Sequence, residues 1–389
     1  MDILPPHRNG GEGPGKDWVS QRQKRSKDLT EHSGGEQICP SLGVWNNKEG
    51  RHKVFALRIA LLALAAGAAL TSSMASAQDT TQLRFLTAWD DRFDGTIAVA
   101  QRFVQFAEEE SDGRITFQFS GPEVVPPGQQ FEPVSRGVFD VGFATPIYYI
   151  GTTGVPSAFF ALPPDPAMWR EKGYWDFADQ ELQRFNQKLI AFTSGSGDND
   201  FYQVILREPL GDGDRPLAGR KIRGNKYYEP VVVPLGGSLV NLPIGETYSA
   251  LEKGVVDGVA FPIAGMQRLK FQEVAGYMMR PRFGTSPFTV TMNLDKFKAL
   301  SEQDQKAVLE AGRRVEESST KEFAELADKT IADLKEAGMK EVSLNPELAN
   351  GIEAGLVAGS WQTAIEGNPQ TAGRVEELRK MARENGDAE

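Results

Sequence analysis

One arginine is the clearest candidate for chemistry in this chain. Arg223 ends a short strand-like segment, LAGRKIR, within residues 217–262, and the rest of that stretch holds almost nothing able to break bonds. A planar guanidinium makes two parallel charge-assisted hydrogen bonds, so an arginine on a rigid α/β framework binds a carboxylate well. The stretch therefore predicts a receptor for an organic acid. The simpler alternative for Arg223 is a structural salt bridge at the end of a strand.

Aromatic residues that follow strand-like segments are the candidates for the rest of a pocket. Trp89 and Tyr148 each follow such a segment, at positions where α/β sheets present ligand-facing loops. Packing between domains is the equal alternative for Trp89, and Tyr148 and Tyr149 could both be surface aromatics. Glu123 could accept a ligand hydroxyl, although a solvated loop carboxylate is the simpler interpretation.

An acidic cluster lies directly after the first strand-like segment. Asp90, Asp91 and Asp94 together suggest a calcium loop. Their spacing lacks the regularity of known calcium-binding loops. We therefore expect these side chains to be solvated or to cap a helix, and we predict no metal site and no cofactor.

Residues 51–77 have the pattern of a secretory signal. Basic residues precede an apolar run at 59–70, and small residues at Ala75 and Ala77 form a cleavage site. The apolar run is shorter than the roughly 20 residues that span a bilayer, so a membrane anchor is the weaker alternative. We expect cleavage after Ala77 and a periplasmic location. Residues 1–50 are polar without an apolar period, which predicts a disordered or wrongly assigned extension.

Cleavage after Ala77 changes the composition of the chain. Ten of the 43 Lys and Arg and seven of the 53 Asp and Glu precede the cut, which leaves 33 basic and 46 acidic residues and a formal net charge of −13. All three histidines and the one cysteine also precede it. The remainder has no Ser-His-Asp triad, thiolate nucleophile, imidazole or thiolate metal site, or disulfide. Its acidity also disfavours nucleic-acid partners.

The elements that position these residues follow an α/β rhythm. A strand, a helix with apolar positions at helical period, a second strand, a short helix and a third strand alternate between 83 and 145, which predicts a parallel sheet with helices on its faces. Further strands are predicted at 189–194 and 202–207. From Ser301 to Gly338 the pattern is helical for roughly 36 residues, long enough to bridge two domains.

Several segments, in order, give the chain a family resemblance. The run ETYSALEKGVVDG at 246–258 is similar to the signature E-x-Y-x-A-L-x-x-G-x-V-D-G of DctP-type solute receptors of tripartite ATP-independent periplasmic (TRAP) transporters. LAGRKIR is similar to that family's L-x-G-x-K-x-R segment. EEESDGRITFQF and SRGVFDVGFATPIYYIG resemble its step into the second strand and its G-x-x-D strand and loop. The resemblance covers residues 82–385.

The resemblance implies a periplasmic-binding-protein type II-like fold, with two α/β domains around a ligand cleft and a long domain-spanning helix. Domain I would comprise 78–200 with 288–328, and domain II would comprise 201–287 with 329–389. Members bind organic acids and deliver them to a permease driven by an ion gradient.

The same matching assigns roles to particular residues. It places the family's ligand arginine on Arg223 and further binding positions on Tyr202, Ile244 and Phe261. The second arginine that sialic-acid-type members carry near Tyr202 is absent, which argues against that ligand. Ala260 and Phe261 replace the Glu-Trp pair of metal-assisted keto-acid receptors, which argues against a metal bridge.

We therefore expect a monomeric solute receptor, not an enzyme, that binds a monocarboxylate with a bulky or aromatic remainder. Its expected partners are the small and large membrane subunits of a TRAP permease. Two alternatives stay open: a ligand-binding sensor subunit for a membrane kinase, and a periplasmic carboxylate-dependent enzyme, which needs two acids converging in the cleft. The predicted ligand-binding residues are Arg223, Trp89, Tyr148, Tyr202, Phe261, Ile244 and Glu123.

Overall fold

Strands and helices alternate along residues 80–388, the part of the chain that the computed structural model describes. The predicted extension (1–50) and signal (51–77) lie outside it. The strands are β1 Thr81–Thr87, β2 Ile115–Ser120, β3 Val141–Ala144, β4 Gln187–Ser194, β5 Tyr202–Leu206, β6 Lys221–Arg223, β7 Ser238–Val240, β8 Gly258–Pro262, β9 Tyr277–Arg280, β10 Pro287–Asn293 and β11 Lys340–Ser343. The helices are α1 Asp94–Glu110, α2 Phe131–Ser135, α3 Pro166–Glu171, α4 Tyr174–Gln183, α5 Glu229–Val232, α6 Ile244–Glu252, α7 Leu294–Ala299, α8 Glu302–Glu336, α9 Pro346–Gly367 and α10 Ala372–Glu384.

Two sheets organise these elements. The first sheet has the order β2-β1-β3-β10-β4 and the second has the order β11-β9-β5-β8-β6-β7. β1 pairs in parallel with β2 and β3, as the alternating pattern predicts. The same sheet also contains β10, which lies antiparallel between β3 and β4. The chain enters β10 after building most of the second sheet, so this strand joins the first sheet from the opposite direction.

Helix α8 is the long helix predicted from Ser301. The Ser301 side chain caps its first turn by accepting a hydrogen bond from the Asp304 amide. Gly338, just beyond its end, has a φ of +94°, a conformation that glycine adopts without strain. Gly312 lies so close to β4 that a Cβ there would be 2.1 Å from the Ile190 carbonyl oxygen. The helix therefore packs tightly on the first sheet.

The far end of α8 contacts the second sheet. Leu334 is fully buried in a cluster with Ile205 of β5 and Met278 of β9. Phe323, midway along the helix, stacks on Phe288 of β10 with a centroid distance of 5.6 Å. One helix thus contributes to the cores of both sheets, as predicted. Within residues 80–388, no helix combines the length and the apolar character that crossing a membrane requires.

The last two helices pack against elements that precede the second sheet. Trp361 of α9 and Leu378 of α10 share a buried cluster with Phe159, Trp169 and Phe192. The sequence prediction assigns 329–389 to the domain of the second sheet, whereas α9 and α10 share this cluster with elements that precede the second sheet. The domain boundaries stay a prediction.

Candidate functional site

The ends of strands from both sheets border one cavity of about 460 Å³. In the second sheet, β6 and β8 run in parallel and β5 runs against β8, with Arg223 opposite Val259 and Tyr202 opposite Pro262. These pairings bring the last residues of β6 and β8 to the same edge as the first residue of β5. In the first sheet, Trp89 follows β1 and Tyr148 follows β3. Loops at the carboxyl ends of strands are where α/β sheets bind ligands.

Six of the seven predicted binding residues line this cavity. They are Trp89, Tyr148, Tyr202, Arg223, Ile244 and Phe261. Glu123 does not line it: this exposed carboxylate accepts a hydrogen bond from the amide of Gly121 at 2.9 Å. Its neighbour Pro122 does line the cavity, so the loop is near the site although Glu123 is not part of the lining. This geometry favours the simpler interpretation of Glu123, a loop carboxylate.

Arg223 is held in place through one nitrogen. Its Nε donates a hydrogen bond of 3.0 Å to the Leu242 carbonyl oxygen, and its Cζ lies 5.7 Å from the centroid of the Phe261 ring. Among the side chains that the structure describes, no carboxylate forms an ion pair with it. Burial lowers the pKa of Arg223, while Tyr228 and Tyr148 act in the opposite direction. The two terminal nitrogens therefore present an uncompensated positive charge to the cavity.

A pair of adjacent tyrosines beside Arg223 was not predicted. Tyr227 and Tyr228 belong to a single 3₁₀ turn directly after β6, and both line the cavity. The Tyr227 hydroxyl donates to the Thr285 carbonyl oxygen at 3.3 Å. Tyr228 is only 3 % exposed, and none of the described residues forms a hydrogen bond with its hydroxyl. Burial raises the pKa of both tyrosines well above the usual value, so both hydroxyls stay protonated at neutral pH.

The other predicted aromatics form a continuous wall. The Trp89 ring lies 5.8 Å from Tyr148 and 5.4 Å from Phe288, between centroids. Burial raises the pKa of Tyr148, while the nearby Arg223 charge opposes that rise. Tyr149 instead points away from the cavity, and its hydroxyl pairs with the Thr289 hydroxyl at 3.0 Å. Trp89 therefore serves both in packing and in lining the cavity.

Few polar groups interrupt the aromatic wall. Thr145 is buried, lines the cavity, and its hydroxyl has no hydrogen-bond partner in the described part of the chain. The side-chain oxygen of Asn225 caps the 3₁₀ turn by accepting a hydrogen bond from the Tyr227 amide at 2.9 Å. Ser286 and Tyr202 also line the cavity, and burial raises the pKa of the Tyr202 hydroxyl. A ligand in this cavity meets the guanidinium groups of Arg223 and Arg92, a few hydroxyls and the Asn225 side chain, and otherwise apolar surface.

Carboxylates are not among the lining residues that the structure describes. The enzyme alternative needs two converging acids, and the described lining does not supply them. Nor do the residues from 80 to 388 contain a group of three or more acidic, histidine or cysteine side chains placed to hold a metal ion. In the acidic cluster, Asp90 pairs with Arg92 and Asp91 is exposed.

Sequence reasoning missed several lining residues besides the tyrosine pair. Tyr227 and Tyr228 directly follow the strand that carries Arg223, so the rule applied to Trp89 and Tyr148 would have found them. Arg92 also lines the cavity from the turn after β1. Phe288 lies in β10 and Ser286 directly precedes this strand. The insertion of β10 into the first sheet has no local sequence signal.

Two mixed sheets with a ligand-sized cavity at their strand ends are the arrangement of a two-lobed protein that binds small molecules. The model of the bacterial extracellular solute-binding proteins, family 7 (DctP), matches residues 94–355. The chain therefore belongs to this family of solute-binding proteins, as its resemblance to DctP-type TRAP receptors predicts.

Individual relatives agree with the family assignment. A solute-binding protein of Sulfitobacter sp. (strain NAS-14.1) is 25 % identical over 277 residues, covering 66 % of this chain and 79 % of that protein. A TRAP periplasmic solute-binding protein from Desulfovibrio salexigens, solved with bound orotic acid, has a TM-score of 0.65 at 20 % identity, covering 78 % of this chain and 97 % of that one. DctP7 of Bordetella pertussis, a receptor binding pyroglutamic acid, has a TM-score of 0.64 at 14 % identity, covering 77 % and 99 %. These structural matches confirm the predicted fold class.

Proposed function

We propose that this solute-binding protein is the periplasmic receptor of a TRAP transporter and that it binds a monocarboxylate with a bulky or aromatic remainder. It does so without a metal or a cofactor, and it performs no chemical conversion. The observation that carries the proposal is Arg223: a half-buried guanidinium, fixed through Nε, that lines a cavity whose described lining contains no acid and whose two terminal nitrogens have no hydrogen-bond partner among the described residues.

The anchoring of the acid follows from the cost of removing charges from water. A carboxylate that leaves solvent loses several kcal/mol of hydration, and so does a buried guanidinium without a partner. When the acid enters, Arg223 donates two parallel hydrogen bonds from its terminal nitrogens, and both charges are compensated at once. The guanidinium of Arg223 is already partly removed from water in the empty protein, and this burial lowers its pKa.

The remainder of the ligand is selected by the aromatic wall. Trp89, Tyr148, Tyr202 and Phe261 offer ring faces, and the cavity of about 460 Å³ suits a small molecule. Orotic acid and pyroglutamic acid, the ligands of the two structural relatives described above, are cyclic acids with one carboxyl group each. Their single negative charge agrees with a site that has one uncompensated cation and an aromatic wall.

Closure of the two sheets on each other would bury the ligand and present a new surface to the permease.

The proposed domains are 78–200 with 288–328 and 201–287 with 329–389, and the proposed mature protein begins after Ala77 and is monomeric. N-terminal sequencing and the measured mass of the exported protein test the start and the oligomeric state.

A thermal-shift screen tests the ligand class. A ligand that binds only the folded state raises its apparent stability, so we expect cyclic monocarboxylates to raise the melting temperature while their primary amides do not. Arg223→Gln should abolish these shifts and change the stability of the empty protein by no more than about 1 kcal/mol, since it loses one hydrogen bond and no ion pair. A structural salt bridge would give the opposite pattern, a destabilised protein with unchanged ligand shifts.

Arg136→Gln is the matched control for this substitution. Arg136 is exposed, pairs with Glu132 on the surface and does not line the cavity, so every ligand shift should persist. Uptake of the acid by cells that lack the gene then separates the transport function from a sensor function. Transport predicts lost uptake, while a sensor predicts normal uptake and a lost kinase-dependent response.

A further inference from the structure

A second arginine lies at the same cavity, and its charge is already neutralised. Arg92 lines the cavity from the turn after β1, with 67 % of its side chain exposed, which places it at the mouth. Its Nε lies 3.0 Å from Asp90 Oδ1 and its Nη2 lies 2.7 Å from Asp90 Oδ2. The Asp90 carboxylate therefore binds the fork of Arg92 in the two-pronged geometry that a ligand carboxylate would otherwise use.

The turn that carries this pair is fixed on both sides. The Arg92 amide donates to Asp90 Oδ1 at 3.0 Å, and the Phe93 amide donates to the Asp90 carbonyl oxygen at 3.0 Å. The Phe93 ring lies 6.3 Å from the ring of Phe261, between centroids, so the turn is braced against the second sheet. Arg92 is thus positioned to contact a ligand. Its positive charge, however, is already paired with the Asp90 carboxylate.

We infer that Asp90 makes the site selective for monocarboxylates over dicarboxylates, by occupying the guanidinium of Arg92 so that Arg223 remains the one uncompensated cation of the described lining. Specificity is a difference of affinities, and it is often achieved by withholding an interaction from the wrong ligand. A dicarboxylate that enters this cavity finds a partner for one carboxylate only. Its second carboxylate, near the mouth, meets a neutral ion pair instead of a free guanidinium. This inference rests on the proposed function, because it concerns the ligand preference of the same site.

Asp90→Asn tests the inference with little change to the turn. The asparagine oxygen can still accept the Arg92 amide, while the charge that holds the guanidinium is removed. Asp91→Asn is the matched control, since it removes the same charge from the next residue, which is exposed. Calorimetric titrations with benzoate against isophthalate, and with butanoate against glutarate, compare acids that differ by a second carboxylate. Low salt is required, because Arg92 is exposed and salt screens its charge.

We expect Asp90→Asn to shift the affinity ratio toward the dicarboxylate of each pair by up to about fivefold, the range of an exposed ion pair. Asp91→Asn should leave the ratio unchanged, and adding Arg92→Gln to Asp90→Asn should restore the wild-type ratio. An unchanged ratio in Asp90→Asn, or an equal shift in Asp91→Asn, overturns the inference and leaves the proposed function intact. If no acid binds to any variant, the proposed function is refuted and the inference with it.

Discussion

Two adjacent tyrosines of the cavity should respond to the same substitution in opposite ways. Tyr228 and Tyr227 both lie in the turn after β6, both are buried and both line the cavity. The Tyr227 hydroxyl donates to the Thr285 carbonyl oxygen, whereas the Tyr228 hydroxyl has no partner among the described residues. Tyr228 lines the same cavity as Arg223. Tyr228→Phe should therefore affect binding, and Tyr227→Phe should affect stability.

The expected magnitudes follow from these contacts. A hydrogen bond to a charged group contributes about 1.5–3 kcal/mol, so Tyr228→Phe should weaken binding of a carboxylate by about 10- to 100-fold. It should leave the stability of the empty protein nearly unchanged, because the hydroxyl that it removes has no hydrogen-bond partner among the described residues to lose. Tyr227→Phe loses a neutral hydrogen bond and should cost about 1 kcal/mol of stability with unchanged affinity.

Calorimetric titration and urea unfolding of both variants measure the two quantities side by side. The acid is the one with the largest thermal shift in the wild-type protein. Equal affinity losses in the two variants would refute the reasoning, since they would show that the turn as a whole, and not the free hydroxyl, determines binding. A stability loss confined to Tyr228→Phe would refute it equally.

Two further predictions concern helix α8. Gly312→Ala should destabilise the protein by about 1–3 kcal/mol in urea unfolding, because its Cβ would meet the Ile190 carbonyl; an unchanged midpoint would contradict the tight packing. Glu316 is buried and accepts hydrogen bonds from the Phe192 amide and the Trp175 indole. Burial raises its folded-state pKa above 4.5, so the folded state binds the additional proton. The free energy of unfolding of the wild type, relative to that of Glu316→Gln, should therefore decrease as the pH rises from 4.5 toward the raised pKa. An increase of this difference with pH would contradict the prediction.

Local patterns in the sequence predict much of the fold and part of the site. The helical period after Ser301 predicts α8 with its cap, because capping and amphipathic packing are encoded within a few residues. Arg223 follows from a motif match, and Trp89 and Tyr148 follow from their positions after strands. The structure brings these residues to one cavity, because the strands that carry them end at its edge.

Other features depend on contacts between distant segments, and local patterns do not encode them. The antiparallel entry of β10 is determined by where the chain lies after it has built the second sheet, and the alternating pattern at 83–145 does not extend to this strand. The pairing of Asp90 with Arg92 is local, yet its meaning depends on Arg223, more than a hundred residues away in the chain. Glu123 shows the reverse case: a plausible residue in a loop near the cavity, whose carboxylate instead caps its own turn.

One measurement tests the central claim most directly, namely that Arg223 binds the carboxylate of the ligand. Wild type, Arg223→Gln and Arg136→Gln are titrated calorimetrically with the best acid of the screen and with its primary amide. If Arg223 contacts the carboxylate, removing the guanidinium and removing the carboxylate charge have strongly non-additive effects on affinity. The amide then binds wild type and Arg223→Gln equally weakly, and Arg136→Gln behaves as wild type. Additive losses of affinity would place the carboxylate elsewhere and contradict the account.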